Sequence, residues 1–504
     1  MQVSPNYQVR NPATGEVVGH TQFATVADLK RYIESARVTQ RIWRELAFAE
    51  RARVIRRFHD LVLDRRDAIL DTIQSETGKS RRDAFAEIVT VAGTARYYLA
   101  HGAEHLQIKQ RRPAVPAITS AEVIYKPHGV VGLITPWNYP FLLPVDDALP
   151  ALLAGNAVMV KPSERTPLSA ALGRDLLIES GLDPNLFAVI NGAGNVGAAL
   201  IPEVDYLGFT GGTATGRKVA VIASENLIPY SLELGGKNPM IVLKGASLDD
   251  AATGFVLGAF SNSGQTCISV ERVYVEEPVF EDFARRVVEK TATLKLGWSK
   301  SWDIDMGSLI SEDHAEKVES RIQGAISDGA RLAFGGRRRP DLGPSFIEPT
   351  ILTNVTDTMA ISKEETFGPV AALYSVHSAE EAIERANNSK FGLNASVWAD
   401  GAKQARSVAR RLDTGSAVIN STLLIYNTFD VPMGGVKLSG VGRRHGEQGI
   451  LRYTQAQSIV GSIASGGGYD SMLLRVKDER MVRVLVGILK LGGGSNKEGD
   501  TGTM

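Results

Sequence analysis

The chain has 504 residues, 43% apolar and 22% charged, with 56 basic and 56 acidic side chains. That length exceeds one ordinary hydrophobic core, so two or more domains are expected. The balanced charge argues against a nucleic-acid partner, and the one cysteine excludes an internal disulfide framework or thiolate metal cluster and suits a reducing cytosol.

In chain order, MQVSPNYQVRNPATGEVVG has no apolar h-region, so no secretory signal is expected. No run reaches the ~18 apolar residues that a membrane-spanning helix needs. From about Val26 to Gly102 apolar positions recur at helical spacing, as in ARVIRRFHDLVLDRRDAILDTI. From Glu122 the pattern changes to β-branched runs broken by Pro and Gly, which read as strands. AVMVKP then reads as a strand, SAALGRDLLIES as a helix, LFAVIN and YLGFTG as strands, with a helix from about Thr215. The rhythm resumes after Gly236 with IVLKG, AATGFVLGAFSNS, RVYVEE and VFEDFARRVVEK, and it predicts parallel, doubly wound α/β sheets. After about Gly461 a glycine-rich hinge leads to MLLRVKDERMVRVLVGILKL and a polar end, GGGSNKEGDTGTM, expected to be disordered.

Two residues stand out chemically. Cys267, in FSNSGQTCISVERVYV, follows a tight polar approach and precedes an apolar strand, so its thiol is expected on a turn at a strand end. A free cysteine is more often a small buried hydrophobe; a lowered pKa or a nearby base makes it a nucleophile. Glu233, in SLELGGKNPM, is flanked by Leu232 and Leu234. Packing of those leucines would desolvate the carboxylate and raise its pKa towards neutrality, where general-base work is efficient. Gly235 and Gly236 would allow close approach, while a surface glutamate at a strand end is the plainer reading.

Together these segments resemble the aldehyde dehydrogenase superfamily. LELGGKNP is similar to its glutamate motif and the Gly-Gln-x-Cys run to its nucleophile motif, 34 residues on. TPWNYP at Thr135–Pro140, KPSERTP at Lys161–Pro167, FTGGTATG at Phe209–Gly216, EETFGP at Glu364–Pro369 and MGGVKLSGVGR at Met433–Arg443 extend the likeness, in order, to about Gly461. The GVGRRHG ending is similar to the actinobacterial succinate-semialdehyde dehydrogenase-like subgroup. The resemblance implies two Rossmann-type parallel-sheet domains and a small oligomerisation arm. Residues 1–106 and 127–235 would bind NAD(P), 236–435 would be catalytic, 107–126 and 436–463 would form the arm and return segment, and 464–504 an extension. A homodimer or homotetramer is then expected.

The same resemblance implies a mechanism and assigns roles. Cys267 attacks the aldehyde carbon, Asn138 and the Cys267 amide hold the oxyanion, and Glu233 activates water against the thioester. Lys161, Ser163 and Glu164 would hold the cofactor ribose, and Gly211, Gly212 and Gly216 would offer helix N-terminal amides to its pyrophosphate. Glu365, Phe367, Trp137 and Leu234 would line the nicotinamide slot. Gly192, Gly194 and Gly197 spell G-x-G-x-x-G after a strand, a weak match that the family places near the adenine, with Gly194 the candidate contact. Glu164 argues for NAD, with NADP as the alternative, because a carboxylate repels a 2′-phosphate. The eight histidines are scattered without metal-ligand spacing, so no metal is expected.

Some positions depart from the pattern. Where the main succinate-semialdehyde type carries carboxylate-binding arginines, this chain has Asp146 and Ser261. With Tyr139, Leu142, Leu143, Ile425, Tyr426 and Phe429 as candidate tunnel residues, a neutral aromatic or aliphatic aldehyde is expected, succinate semialdehyde being the alternative. Arg444 stands where many members have a relay glutamate, so that relay is absent or rebuilt. Presence of both Cys267 and Glu233 argues against a silent structural relative, and Glu233 argues against a CoA-acylating one. In the tail, Met472, Leu473, Val476, Val484, Leu485, Ile488 and Leu489 would share an apolar face against Arg475, Lys477, Arg480, Arg483 and Lys490. Such a helix packs on a neighbouring subunit or lies on a membrane surface.

Overall fold

The computed structural model describes residues 6–114, 119–462, 476 and 478–492. Four helices, Val26–Trp43, Phe48–Asp64, Arg66–Thr77 and Arg81–His105, fill the predicted helical region. Their buried positions follow the spacing read from sequence, for example Ile55, Phe58 and Val62 in the second helix. They pack in one apolar cluster with the strands Val130–Ile134, Ala157–Lys161 and Phe187–Val189.

Those strands belong to a six-stranded sheet. Across it lie Gly440–Val441, Tyr230–Glu233, Tyr206–Thr210, Val130–Ile134, Ala157–Lys161 and Phe187–Val189. Neighbours are parallel except at one edge, where Gly440 pairs with Glu233 in antiparallel register. The buried strands read Val-Val-Gly-Leu-Ile and Ala-Val-Met-Val-Lys, near-continuous apolar runs of the kind that a sheet covered on both faces requires.

The chain passes from Glu233 through Leu234–Lys237 into a second, seven-stranded sheet. Its order is Arg331–Phe334, Thr350–Thr353, Val370–Val376, Val270–Glu276, Asn238–Val242, Asn394–Trp398 and Ser416–Ile419. Only the Arg331–Phe334 edge is antiparallel. Helices Leu248–Phe260 and Glu277–Ala292 cover it where helical periodicity was read. A strand end of the first sheet and a strand start of the second thus sit either side of a four-residue link, and the candidate site is built there.

Residues 1–106 and 127–455 form one compact unit, and 107–126 with 456–504 form another. Stretch 436–455, grouped above with the return segment, therefore lies in the first unit. In the second unit, Lys109–Gln110 and Thr119–Pro127 pair antiparallel in a three-stranded sheet completed by the strand Thr454–Ser462. A helix spans Glu479–Gly492. Among the described residues no helix is long and apolar enough to cross a membrane. Met472, Leu473, Arg475, Lys477 and the polar end 493–504 lie outside the described residues.

Candidate active site

Cys267 sits on a turn directly before the strand Val270–Glu276 and is partly accessible. The approach is bent. Asn262, Ser263 and Gly264 have φ of 50°, 56° and 70°, three consecutive left-handed residues. For the two non-glycines this costs roughly 1–2 kcal/mol each, so the surroundings must hold the turn. Asn262 Nδ2 donates to Asn138 O and Gln265 O at 3.0 and 3.1 Å. Ser263 Oγ donates to Gly307 O at 2.9 Å, and Gln265 Oε1 accepts from Ile310 N at 2.9 Å. Gly264 has no alternative, since a Cβ there would meet Gly368 O at 2.2 Å. On the far side of the turn, Asn238 Nδ2 donates to the carbonyls of Cys267 and Ser269 at 2.9 and 2.8 Å. The sequence signal at Cys267 was the Gly-Gln pair; its physical content is this clamped turn.

Asn138 is buried beside it. Its Nδ2 donates one hydrogen bond, to Gln265 O at 3.0 Å, which leaves the second N–H of the amide for another acceptor. Its own carbonyl accepts from Lys79 Nζ at 2.7 Å as well as from Asn262. Lys79 is paired at 2.8 Å with Glu87, both essentially inaccessible. The other Glu87 oxygen accepts from Phe141 N and Leu142 N at 3.0 and 2.9 Å, capping the helix Leu142–Leu153. One buried ion pair thus fixes the second half of the TPWNYP loop and the start of the helix that follows. Neither residue was singled out in the sequence; both lie in the helical region, in no motif, 50 or more residues away.

Glu233 ends its strand in a buried position. Its Oε1 is buried with no hydrogen-bond partner among the described residues. Burial pushes its carboxyl up to about 7, against the opposing pull of Arg444 and Arg452. Those arginines converge on Asp147. Arg444 Nε and Nη2 donate to it at 2.9 and 2.7 Å, and Arg452 joins them. Burial alone would raise the Asp147 carboxyl, but the two guanidiniums outweigh it and hold it at about 2. Arg444 also reaches Thr210 Oγ1; burial works against its charge, but the Asp147 and Glu233 carboxylates outweigh that and leave its pKa raised. The position therefore carries a locked cation and no proton-relay carboxylate. Asp146 is buried with His445 Nε2 3.8 Å from its Oδ2 and lines neither cavity described below. An aspartate would repel an anionic substrate only if it faced the pocket; the arginine fork is missing either way.

A cavity of about 230 Å³ brings together Trp137, Asn138, Glu233, Leu234, Cys267, Glu365 and Phe367. Its residues Pro136, Thr210, Gly211 and Gly212 also line a cavity of about 500 Å³ with Lys161, Ser163, Glu164 and Gly194. Every predicted catalytic and cofactor residue except Gly216 faces one cavity or the other, whereas the tunnel candidates Tyr139, Leu142, Leu143, Ile425, Tyr426 and Phe429 line neither. Gly216 lies in the first helical turn, where a Cβ would sit 2.5 Å from Leu234 Cδ2, so its place is to let Leu234 pack. The expected amide donors shift accordingly. Gly211 N donates to Glu233 O and Gly216 N to Gly212 O, both at 3.0 Å. Among the described residues the first-turn amides of Gly212, Thr213 and Ala214 have no backbone acceptor, as helix geometry dictates. At the G-x-G-x-x-G segment, Gly192 lies beneath Val196 and Gly197 against the Lys161 stem, and Gly194 alone is open. Lys161 Nζ lies 3.6 Å from Glu164 Oε2; burial lowers its pKa and Glu164 opposes that.

At the other end Glu365 Oε1 accepts from Gly236 N at 2.8 Å. Burial, then the neighbouring Glu271, push the Glu365 carboxyl up to about 7. A Cβ on Gly235 would strike Glu365 Oε2 at 2.2 Å and one on Gly236 would strike Cys267 O at 2.7 Å. These glycines let the glutamate loop, the nucleophile turn and the EETFGP loop meet. Phe367, left-handed at φ 53°, is held by Glu271, whose carboxylate accepts from Thr366 N and Phe367 N at 2.9 and 3.2 Å and pairs with Lys237. Trp137 meets the Phe367 ring edge-on, centroids 5.5 Å apart. Tyr426, read above as a tunnel wall, places its Oη 2.9 Å from Cys267 Sγ. Burial pushes the thiol up to about 11, against that hydrogen bond.

Comparison with known proteins places the chain in a family. Residues 2–459 match the model of the aldehyde dehydrogenase family. A relative from Mycolicibacterium smegmatis, provisionally named succinate-semialdehyde dehydrogenase (NADP+), is 46% identical over 89% of this chain and 87% of its own. One from Mycobacterium tuberculosis with the same provisional name is 43% identical over 90% and 88%. Among solved structures, Staphylococcus aureus betaine aldehyde dehydrogenase in complex with NAD+ superposes with a TM-score of 0.87 at 32% identity, covering 92% of each chain. An Escherichia coli NADP-dependent enzyme gives 0.88 at 33%, covering 91% of this chain and 95% of its own.

Proposed function

The chain belongs to the aldehyde dehydrogenase family, and from that premise we propose that it oxidises an aldehyde to a carboxylic acid with NAD(P), using Cys267 as nucleophile. The observation that carries this is the convergence of Cys267, Glu233 and Asn138 on one cavity that adjoins a second, larger one.

The larger cavity fits a dinucleotide. The unpaired amides at Gly212–Ala214 suit a pyrophosphate, Lys161 and Glu164 suit ribose hydroxyls, and Gly194 offers an unobstructed backbone. When bound, the nicotinamide supplies hydride acceptance. The protein does the rest. The Cys267 thiolate adds to the aldehyde carbon, and the free N–H of Asn138 Nδ2, with the Cys267 amide, holds the alkoxide. Loss of hydride leaves Cys267 as a thioester. Glu233, poised near pH 7 with an unpaired oxygen, takes a proton from water, which attacks the thioester and frees the acid and the thiol. Production of reduced cofactor across an aldehyde panel tests the reading, with Cys267→Ala as control; no turnover of any aldehyde sinks it.

We take a neutral aromatic or aliphatic aldehyde as substrate, because Tyr139 and Tyr426 flank the nucleophile and Asp146 and Ser261 supply no guanidinium fork for a distal carboxylate. The names of the mycobacterial relatives favour succinate semialdehyde instead. A clear preference for succinate semialdehyde over benzaldehyde and hexanal decides for that second reading. For the cofactor we keep NAD, on the charge of Glu164; a higher kcat/KM with NADP reverses it.

A homodimer or homotetramer is supported by the strand Thr454–Ser462, which ends the three-stranded sheet with Ile459 and Val460 exposed. Light scattering of the full chain reads the assembly. The single thiol suits a reducing cytosol. In the helix Glu479–Gly492, Val482, Val484 and Val486 are 44%, 60% and 41% exposed, with Arg480 and Arg483 also exposed. This supports peripheral contact with an anionic lipid surface. Flotation on such liposomes, with and without residues 470–504, tests it; equal flotation removes the idea.

A further inference from the structure

One side chain outside every motif touches the nucleophile. Tyr426 Oη lies 2.9 Å from Cys267 Sγ, and among the described residues the phenol has no other hydrogen-bond partner. We propose that Tyr426 is the positioning residue for the nucleophile: its phenolic O–H donates to the Cys267 thiolate and holds the sulfur in one orientation. This rests on the aldehyde dehydrogenase reading for its purpose, though not for its geometry.

The direction of the bond follows from the groups. A thiolate has no proton to give, while a phenol stays protonated at neutral pH, so once Cys267 ionises Tyr426 is the donor. Hydrogen bonds to charged acceptors are about twice as strong as neutral ones. The other charged groups facing the sulfur pull in opposite senses. The Glu233 and Glu365 carboxylates oppose a thiolate, and Arg444, engaged with Asp147, favours it. Tyr426 is the group in direct hydrogen-bond contact with the sulfur.

The phenol is also held in place. It lies on the turn Leu424–Asn427, whose Ile425 packs in a small cluster with Ile268, Val418 and Met433. Just beyond, the Phe429 ring fills a notch where a Cβ on Gly93 would come within 2.2 Å of it. Asp430 accepts from Tyr97 Oη at 2.7 Å, tying the segment to the helix Arg81–His105. A second phenol lies beside Tyr426: the Tyr139 ring centroid is 6.2 Å from that of Tyr426, and Tyr139 Oη is 2.7 Å from Thr266 Oγ1. One tyrosine braces the residue before the nucleophile, and the other its sulfur.

The test uses the full chain and its only cysteine, so alkylation reports on Cys267 alone. The rate of iodoacetamide modification is measured against pH for wild type and Tyr426→Phe, together with kcat and KM for the best aldehyde of the panel. Tyr426→Phe is expected to move the alkylation profile up by about one pH unit. It should lower kcat about tenfold while KM changes little. Should Tyr426→Phe fail to fold, a ring-fluorinated tyrosine at the same position, a stronger donor, should move the profile down. A profile that stays put in the variant that folds overturns the proposal. If the profile shifts but no aldehyde is oxidised, the tyrosine assignment stands and the dehydrogenase reading falls.

Discussion

Lys161, Ser163, Gly194 and Gly212, along the larger cavity, lie just where strands of one sheet stop and turns or helices begin. Asn138, Glu233, Cys267 and Glu365, around the smaller one, come from four separated segments; Asn138, Cys267 and Glu365 each bond a partner from elsewhere in the chain, and Glu233 is set by burial against the pull of Arg444 and Arg452. The first arrangement offers mainly peptide groups, which side-chain changes alter little. The second depends on ionisation states that burial and distant charges fix together. Substitutions at the smaller cavity should therefore cost rate, whereas those at the larger should adjust which cofactor is preferred.

The sharpest break is Cys267→Ala. Turnover should fall by about 10⁴-fold or more, while binding of reduced cofactor, followed by its fluorescence, stays near wild type. Loss of both together would mean that the two cavities do not act separately. Next, Glu233→Gln should lower kcat by about 10³-fold and leave acylated Cys267 visible by intact-mass spectrometry. The wild-type rate of thioester hydrolysis should climb with pH through about 7 and level off above it, because only the carboxylate can take the proton. A flat profile from pH 6 to 8 argues for a different base. Glu233 also has a sign in stability. Its folded pKa lies above the ordinary 4.5, so the stabilisation from protonation is present at low pH and is lost as pH rises from there to about 7.

Lys79→Met probes the scaffold under the smaller cavity. It leaves Glu87 buried and unpaired and should destabilise the protein by about 3–5 kcal/mol in urea unfolding. A change under ~1 kcal/mol would show that water reaches the pair. The smallest effect is expected at the larger cavity. Glu164→Gln should raise the NADP-to-NAD ratio of kcat/KM by about tenfold through loss of like-charge repulsion, with kcat for NAD nearly unchanged; an unaltered ratio removes Glu164 as the discriminator.

Much was legible in the chain itself. The alternation of apolar runs placed the strands and helices of both sheets, because a buried parallel strand and an amphipathic helix impose different periods on their residues. The Gly-Gln approach to Cys267 and the leucines around Glu233 marked a turn and a desolvated carboxylate for local reasons. Gly211 and Gly216 were right as markers of a strand-to-helix turn and misleading as donors, since spacing does not say which amides are already bonded. What only the tertiary structure decided is the set of partners: Lys79–Glu87 behind Asn138, Lys237–Glu271 behind Phe367, Asp147 between Arg444 and Arg452 beside Glu233, and Tyr426 on the sulfur. No local pattern announces them, because a buried charge or phenol finds its partner across space, from whichever segment the fold brings within ~3 Å.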